Sequence, residues 1–262
     1  MHKSIRKRLT IAFMGLAVGP LLLVWAIFAW QSFRILQHQA LDHQQEIAKR
    51  VSSQVTAFFE EIENELRVVG QVQGLLTRDR NKQKSTLLGL LSYHSVFDEL
   101  ILLDAKGREQ IHLARSRVTP RLGRRSNADE FIIPRTKGEA YYSPVRFDET
   151  TGEPSMTISI PLFDARTGLV DGALVSEVRM KKIWNLIADL RMDRDQSVYI
   201  VDAQDRIVAH RNPSVVLRGA TFDVPDQGGI HSGLSGTSAV LASEMVRLGQ
   251  RELNIVSEQS LP

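Results

Sequence analysis

From Thr10 to Trp30 the chain reads TIAFMGLAVGPLLLVWAIFAW, an apolar run with no charge. At about 20 residues it matches the length an α-helix needs to cross the hydrocarbon layer of a bilayer. Lys3, Arg6, Lys7 and Arg8 precede it, and basic residues beside a span hold that end in the cytoplasm, so everything after Trp30 is expected on the far side. A cleaved signal peptide also begins with a basic stretch and an apolar run. This run is longer than a typical signal core, and no Ala-x-Ala triplet follows it, the exit being Ala29, Trp30, Gln31, Ser32, which favours an uncleaved anchor.

Beyond Phe33, residues Leu36, Ala40, Ile47, Val51, Val55, Phe58, Ile62 and Val69 recur at steps of three and four with polar residues between them. That period places them on one stripe of a long stalk helix. The stripe has to be buried, against its own domain or against a second copy, and the segment from Ile47 to Val69 could form the seam of a parallel homodimer. A second helix, Lys82 to Leu91, follows the polar break RDRNKQ.

Strand patterns come next. Leu100 to Leu103 is apolar, Asp104 to Gly107 reads as a turn, and Glu109 to Leu113 alternates. The segment from Ala140 to Val178 gives AYYSPVRF, SMTISIPLF and LVDGALVSEV, joined by the turns DETTGE and DARTG. This is the pattern of a three-stranded antiparallel meander, with Gly152 and Gly168 at the positions that need positive φ. KKIWNLIADL, from Lys181, is an amphipathic helix. SVYIVDAQDRIVAH, Ser197 to His210, then repeats ELILLDAKGREQIH, Glu99 to His112, with Asp, Ala, Arg and His in matching places, which points to two copies of one α/β unit. A last strand is expected at Glu252 to Val256. The stretch Gly228 to Ser238 reads as a loop, without the Lys-Ser/Thr ending of a phosphate loop.

Composition then narrows the chemistry. With no cysteine there is no disulfide, thiolate nucleophile or Cys-ligated zinc. The net charge is only +3. Outside the membrane, the cluster Arg115, Arg117, Arg121, Arg124 and Arg125 reads as a solvated loop, with an anionic ligand or lipid headgroups as the alternative, and no nucleic-acid partner is expected. The histidines show no metal-ligand spacing, so no metal or other cofactor is expected, and His112 and His210 read as strand-end packing residues. No nucleophile, base and orienting group are assembled, and an enzyme is not expected.

The order basic tail, anchor, long helix and two sheet units, with YYSPVRFDETTGEPSMTISIPLFDARTGLVDGALVSEV and VYIVDAQDRIVAHRNP, resembles the double Cache sensor domain of bacterial transmembrane receptors. The resemblance implies an α+β fold: a transmembrane helix at 10–31 after a tail at 1–9, a stalk helix at 32–75, and two tandem PAS-like Cache modules with antiparallel sheets. The membrane-distal module would span 76–180 and the membrane-proximal module 181–262. It further implies a single-pass protein of the bacterial inner membrane, N-terminus cytoplasmic, that binds a small extracellular solute in the distal module for signal transduction.

Arg146 falls where the amino-acid-binding members of that family place a pocket tyrosine ahead of the Asp148 to Gly152 turn, and Glu177 where they keep an aspartate. Around Phe131 to Tyr142 the chain has FIIPRTKGEAYY and lacks their Arg-x-Trp-Tyr motif, so the resemblance does not specify an amino acid. By strand parity Tyr142 and Arg146 share one side, where tyrosine and guanidinium could take a carboxylate. Tyr141 and Ser159 complete the expected ligand set. Alternatively, Glu177 pairs with Arg146 internally and the chain is a ligand-free module that partners another receptor. No second apolar run occurs before the end at SEQSLP, so a truncated or split receptor, or a partner subunit, is expected.

Overall fold

The computed structural model describes residues 5–72, 75–115, 122–149, 151–193 and 195–261. Helix α1, Ile5–Arg67, runs into a π turn at Val68–Val72, and a 3-10 turn at Leu75–Thr77 precedes α2, Arg80–Tyr93. Asp79 caps α2 by accepting from the amides of Asn81 and Lys82, both at 3.0 Å, which satisfies two of the amides a helix start leaves unpaired. There follow β1 Phe97–Asp104, β2 Glu109–Ala114, α3 Asp129–Lys137, β3 Tyr141–Tyr142, β4 Arg146–Phe147, β5 Pro154–Phe163, β6 Val170–Arg179 and α4 Lys181–Ala188. The remaining elements are β7 Gln196–Asp202, β8 Ile207–His210, α5 Pro213–Leu217, β9 Gly229–Ser232, β10 Ser238–Leu248 and β11 Arg251–Ser260.

The strands form two antiparallel sheets with one connectivity. The first runs β2-β1-β6-β5-β3, with β4 also on β5; the second runs β8-β7-β11-β10-β9. In each, a hairpin leads, the chain departs to the far edge, and a long hairpin returns to pair with the first strand. The two leading turns match in detail. Asp104 Oδ1 accepts from the amides of Lys106 and Arg108, and Asp202 Oδ1 from those of Gln204 and Arg206. In both, the arginine Nε donates to the other carboxylate oxygen at 2.9 Å. The sequence repeat is therefore a repeat of turn chemistry and of topology.

Helix α1 packs on β5 of the first sheet and on β10 and β11 of the second. Val51, Val55, Phe59, Ile62 and Leu66 are all at most 2% exposed and join the main core with Leu100, Leu102, Ile158, Ile160, Val198 and Ile255. Burying each such side chain contributes ~1.5–3 kcal/mol, so packing rather than helix propensity fixes this part of α1. The seam expected to pair two copies is thus covered by the chain's own sheets.

Polar contacts set the register along the helix. Ser257 Oγ donates to Gln44 Oε1 at 2.5 Å, Gln45 Nε2 donates to Glu244 Oε2 at 3.0 Å, and Tyr142 Oη donates to Glu63 Oε2 at 2.5 Å.

Several details differ from the sequence expectation. Gly228 to Ser238 is not all loop: it contains β9, a short edge strand of alternating half-buried and exposed residues, whose small and polar composition hides the strand pattern. Helix α3 was not anticipated, because Pro134 interrupts its apolar pattern, although Asp129 and Glu130 in its first turn, Arg135 and Lys137 in its last, and Gly138 after it are the charges and stop residue of a helix. Among the described residues no helix is long and apolar enough to cross a membrane. The side chains of residues 5–13, 15–17, 19 and 29, which belong to the tail and the expected span, lie outside those described.

Candidate functional site

Register fixes which side chains leave the first sheet on the face away from α1. Glu99 of β1 stands opposite Glu177 of β6, which stands opposite Thr157 of β5; Ile101, Val175 and Ser159 form the next row. On this face lies a cavity of about 450 Å³, within the range of small-molecule sites. Glu99, Ile101, Ser155, Thr157, Val175 and Glu177 line it from the central strands, Arg146 and Phe147 from β4, Asp148 and Glu149 from the following turn, and Arg125 from the segment before α3.

The wall is strongly ionic. Ser155 Oγ donates to Glu177 Oε1 at 2.7 Å, Arg146 Nη2 donates to Thr157 Oγ1 at 2.6 Å, and the same nitrogen lies 4.0 Å from Glu177 Oε1. Like charges directly opposite in a sheet repel, so hydrogen-bond donors or cations beside the Glu99–Glu177 pair ease it. On one side of Glu99, His112 supplies a partner: its two ring nitrogens lie 3.3 Å from Glu99 Oε2 and from Glu109 Oε2. Glu109 in turn accepts from Arg125 Nε at 2.7 Å and from the Gly123 amide at 2.9 Å, and Arg125 Nη1 donates to Glu130 at 3.0 Å. Burial alone would raise the Glu109 carboxyl, but the bonds from Arg125 and Gly123 outweigh it and hold the group below its ordinary range. Burial likewise works against the charged Arg125, and its two carboxylates more than restore it.

The second sheet shows what closes such a cavity. Following the matched registers, Ile101 corresponds to Tyr199 and Glu177 to Glu258. Tyr199 is fully buried, its ring meets Phe222 edge-on at 5.2 Å, and its hydroxyl donates to Glu258 Oε2 at 3.0 Å. Glu258 takes a second bond from the Leu234 amide at 3.0 Å. A large aromatic thus fills the second sheet's equivalent space, and its hydroxyl satisfies the carboxylate that faces the cavity in the first.

A family model described as a Cache domain matches residues 32–261. The chain belongs to the Cache domain family. Solved Cache-like structures share its fold. The ligand-binding domain of the Pseudomonas aeruginosa PAO1 amino acid chemoreceptor PctC, in complex with GABA, aligns with a TM-score of 0.67 at 16% identity, covering 84% of this chain and 99% of that one. The ligand-binding domain of the Pseudomonas fluorescens chemoreceptor CtaA, in complex with L-leucine, aligns at 0.64 and 13% identity, covering 87% and 97%. That of the Campylobacter jejuni chemoreceptor Tlp3, in complex with 4-methylisoleucine, aligns at 0.61 and 15% identity, covering 85% and 92%. A search of curated protein sequences finds no match.

Within this Cache domain the expected site residues separate. Arg146 and Glu177 line the cavity together. Tyr142 does not join them: it is buried on the opposite face, edge-on to Phe59 at a centroid distance of 6.3 Å and bonded to Glu63. Its phenol is pushed upward by burial and by the Glu63 carboxylate. The parity argument fails because Tyr142 pairs with Ile158 while Arg146 pairs with Ser155. Four residues forward on one strand meet only three back on the other, so an extra residue in Ser143-Pro144-Val145 inverts the facing, as a bulge does.

Tyr141 and Ser159 pair with each other on the cavity side, but both are buried outside the lining, where α3 packs on β3 and β5. Ser159 Oγ has no hydrogen-bond partner among the described residues. Glu99, Arg125, Phe147 and Thr157 were missed. Thr157 was within reach, two residues before Ser159 on the same face, whereas Glu99 and Arg125 arrive through long-range pairing that carries no local signal.

Proposed function

We propose that this Cache domain is the membrane-anchored extracytoplasmic part of a sensor that takes a small zwitterionic or ammonium-bearing solute into the cavity of the first sheet. The observation that carries this reading is the pairing of Glu99 with Glu177 at a 450 Å³ cavity whose lining also presents Arg146, beside Glu177. Two facing carboxylates favour an ammonium group between them. Arg146 has five N–H donors and sits 4.0 Å from Glu177, beyond hydrogen-bond length, so its fork can turn to a carboxylate. The ligands in the PctC, CtaA and Tlp3 structures are amino compounds of this size.

Reading 76–180 as the membrane-distal module and 181–262 as the proximal one is supported by the order of contacts along α1, which meets the second sheet at Gln44 and Gln45 and the first at Phe59 and Glu63. Anchoring is supported by Leu21 to Phe28, all exposed on α1. A helix that is apolar all round needs lipid or protein about it. A homodimer through the helix is proposed for this upstream part, since the downstream stripe is buried in the chain's own core.

The test is calorimetric titration of residues 32–262 with the common amino acids, GABA and short diamines. At least one of them is expected to bind, and Glu177→Gln to weaken it at least about tenfold, the effect of one charged hydrogen bond. The 4.0 Å approach of Arg146 to Glu177 favours a second reading, a ligand-free interaction module, which absence of binding across the panel would leave standing.

A further inference from the structure

The β4 strand and its following turn supply Arg146, Phe147, Asp148 and Glu149 to the cavity wall. This strap is held from below by the second half of the chain. Arg206, in the β7–β8 turn, donates from Nη2 to the Val145 carbonyl at 2.8 Å and lays its guanidinium over the Phe147 ring, 4.9 Å from the centroid. The same guanidinium is bonded to the buried Asp202, at 2.9 Å from Nε and 2.7 Å from Nη2. Two further contacts cross in the same direction. Arg251 Nε donates to the Tyr142 carbonyl at 3.2 Å. At Gly152, where φ is +69°, an added Cβ would come within 3.0 Å of Leu217 Cδ2.

We propose that Arg206 is a positioning residue of the cavity, fixing the strap that carries Phe147 and Arg146 and making the second sheet's turn part of the wall's support. The role follows from geometry peculiar to a guanidinium. It lies over an aromatic face while its N–H groups donate to a carboxylate and a carbonyl at once. An ammonium carries its donors on a single atom and lacks the fork that spans these partners. The duplicated turn supplies an internal comparison, because Arg108 makes the equivalent Nε bond to Asp104 at 2.9 Å in the first sheet. Its side chain is 57% exposed against 34% for Arg206, the difference being the strap that covers Arg206. A solute that moves the strap on entering the cavity would therefore press on the β7–β8 turn, and a change in that turn would reshape the cavity.

The role rests on the cavity being the solute site, but its experiment needs no solute. Hydrogen–deuterium exchange would be followed in the full chain, in lipid nanodiscs, for the parent, R206Q, R206K, R108Q and F147L. The amides of Asp148 and Gly152, which close the strap's turn by bonds to Glu153 and Asp148, are the reporters. R206Q is expected to speed their exchange about tenfold, the loss of roughly one such contact, and R108Q to leave them unchanged. R206K preserves an ion pair with Asp202 and would rescue a purely structural hairpin role; it is expected to leave both amides fast. Where R206Q does not fold, F147L decides, with faster exchange expected at the Asp205 amide across the contact. Unchanged strap exchange in R206Q, equal effects in R108Q, full rescue by lysine, or no response at Asp205 in F147L would each overturn the assignment. A cavity that binds no probe refutes the sensor reading without altering these rates, and unaltered rates refute the role of Arg206 without altering binding.

Discussion

Ile101 and Tyr199 stand at matching places in two sheets of one connectivity, each beside a glutamate on the neighbouring strand. The smaller side chain leaves room, so Glu177 borders a cavity; the larger one occupies it, and Glu258 is only 4% exposed. Because Glu258 then depends on the Tyr199 hydroxyl and the Leu234 amide, Tyr199→Phe is expected to cost ~1–3 kcal/mol, the penalty of a buried acceptor losing one donor. The midpoint of urea unfolding measures it, and an unchanged midpoint would show that Glu258 finds another partner. At this scale the sequence was partly legible. Arg146 and Glu177 were picked out by their position against the Cache resemblance, and both line the cavity. Tyr142 could not be excluded, because one extra residue around Pro144 reverses facing without changing the alternation of residue types.

Among the elements, α1 shows how an apolar stripe locates a helix without naming its partner. The three- and four-residue spacing from Ile47 to Val69 gave the helix and its buried side. It could not distinguish another copy from the chain's own sheets, because both present the same kind of apolar surface. Val55, fully buried between α1 and the sheets, separates the two. Val55→Glu would place an unpaired carboxylate in the core and is expected to cost at least about 3 kcal/mol, read as a lowered thermal midpoint by circular dichroism. A change in sedimentation with an unchanged midpoint would return this face to a subunit interface. The duplicated hairpins were legible because Asp and Arg set the turn locally. Strand β9 and helix α3 were not, since their burial comes from distant neighbours more than from local pattern.

For the molecule as a whole, the order of contacts along α1 gives it a direction. The exposed apolar residues from Leu21 to Phe28 come first, then Gln44 and Gln45 on the second sheet, then Glu63 on the first. The anchored reading predicts that the expressed full chain stays with the membrane pellet through alkaline carbonate washing and keeps its N-terminal residues. Recovery as a soluble, shortened protein would contradict it.

The two sets of polar contacts lie 19 residues apart, from Gln44 to Glu63, about 28 Å of axis at ~1.5 Å per residue. A rod fastened at both points cannot slide lengthwise past either sheet without rupturing Ser257–Gln44 or Tyr142–Glu63. A plunger-like stroke of α1 against the body would therefore cost both bonds, each ~0.5–1.5 kcal/mol, on top of the packing of its buried stripe. A tilt or turn of rod and sheets together keeps both bonds, and is the motion the proposed sensor would use with least loss of contact.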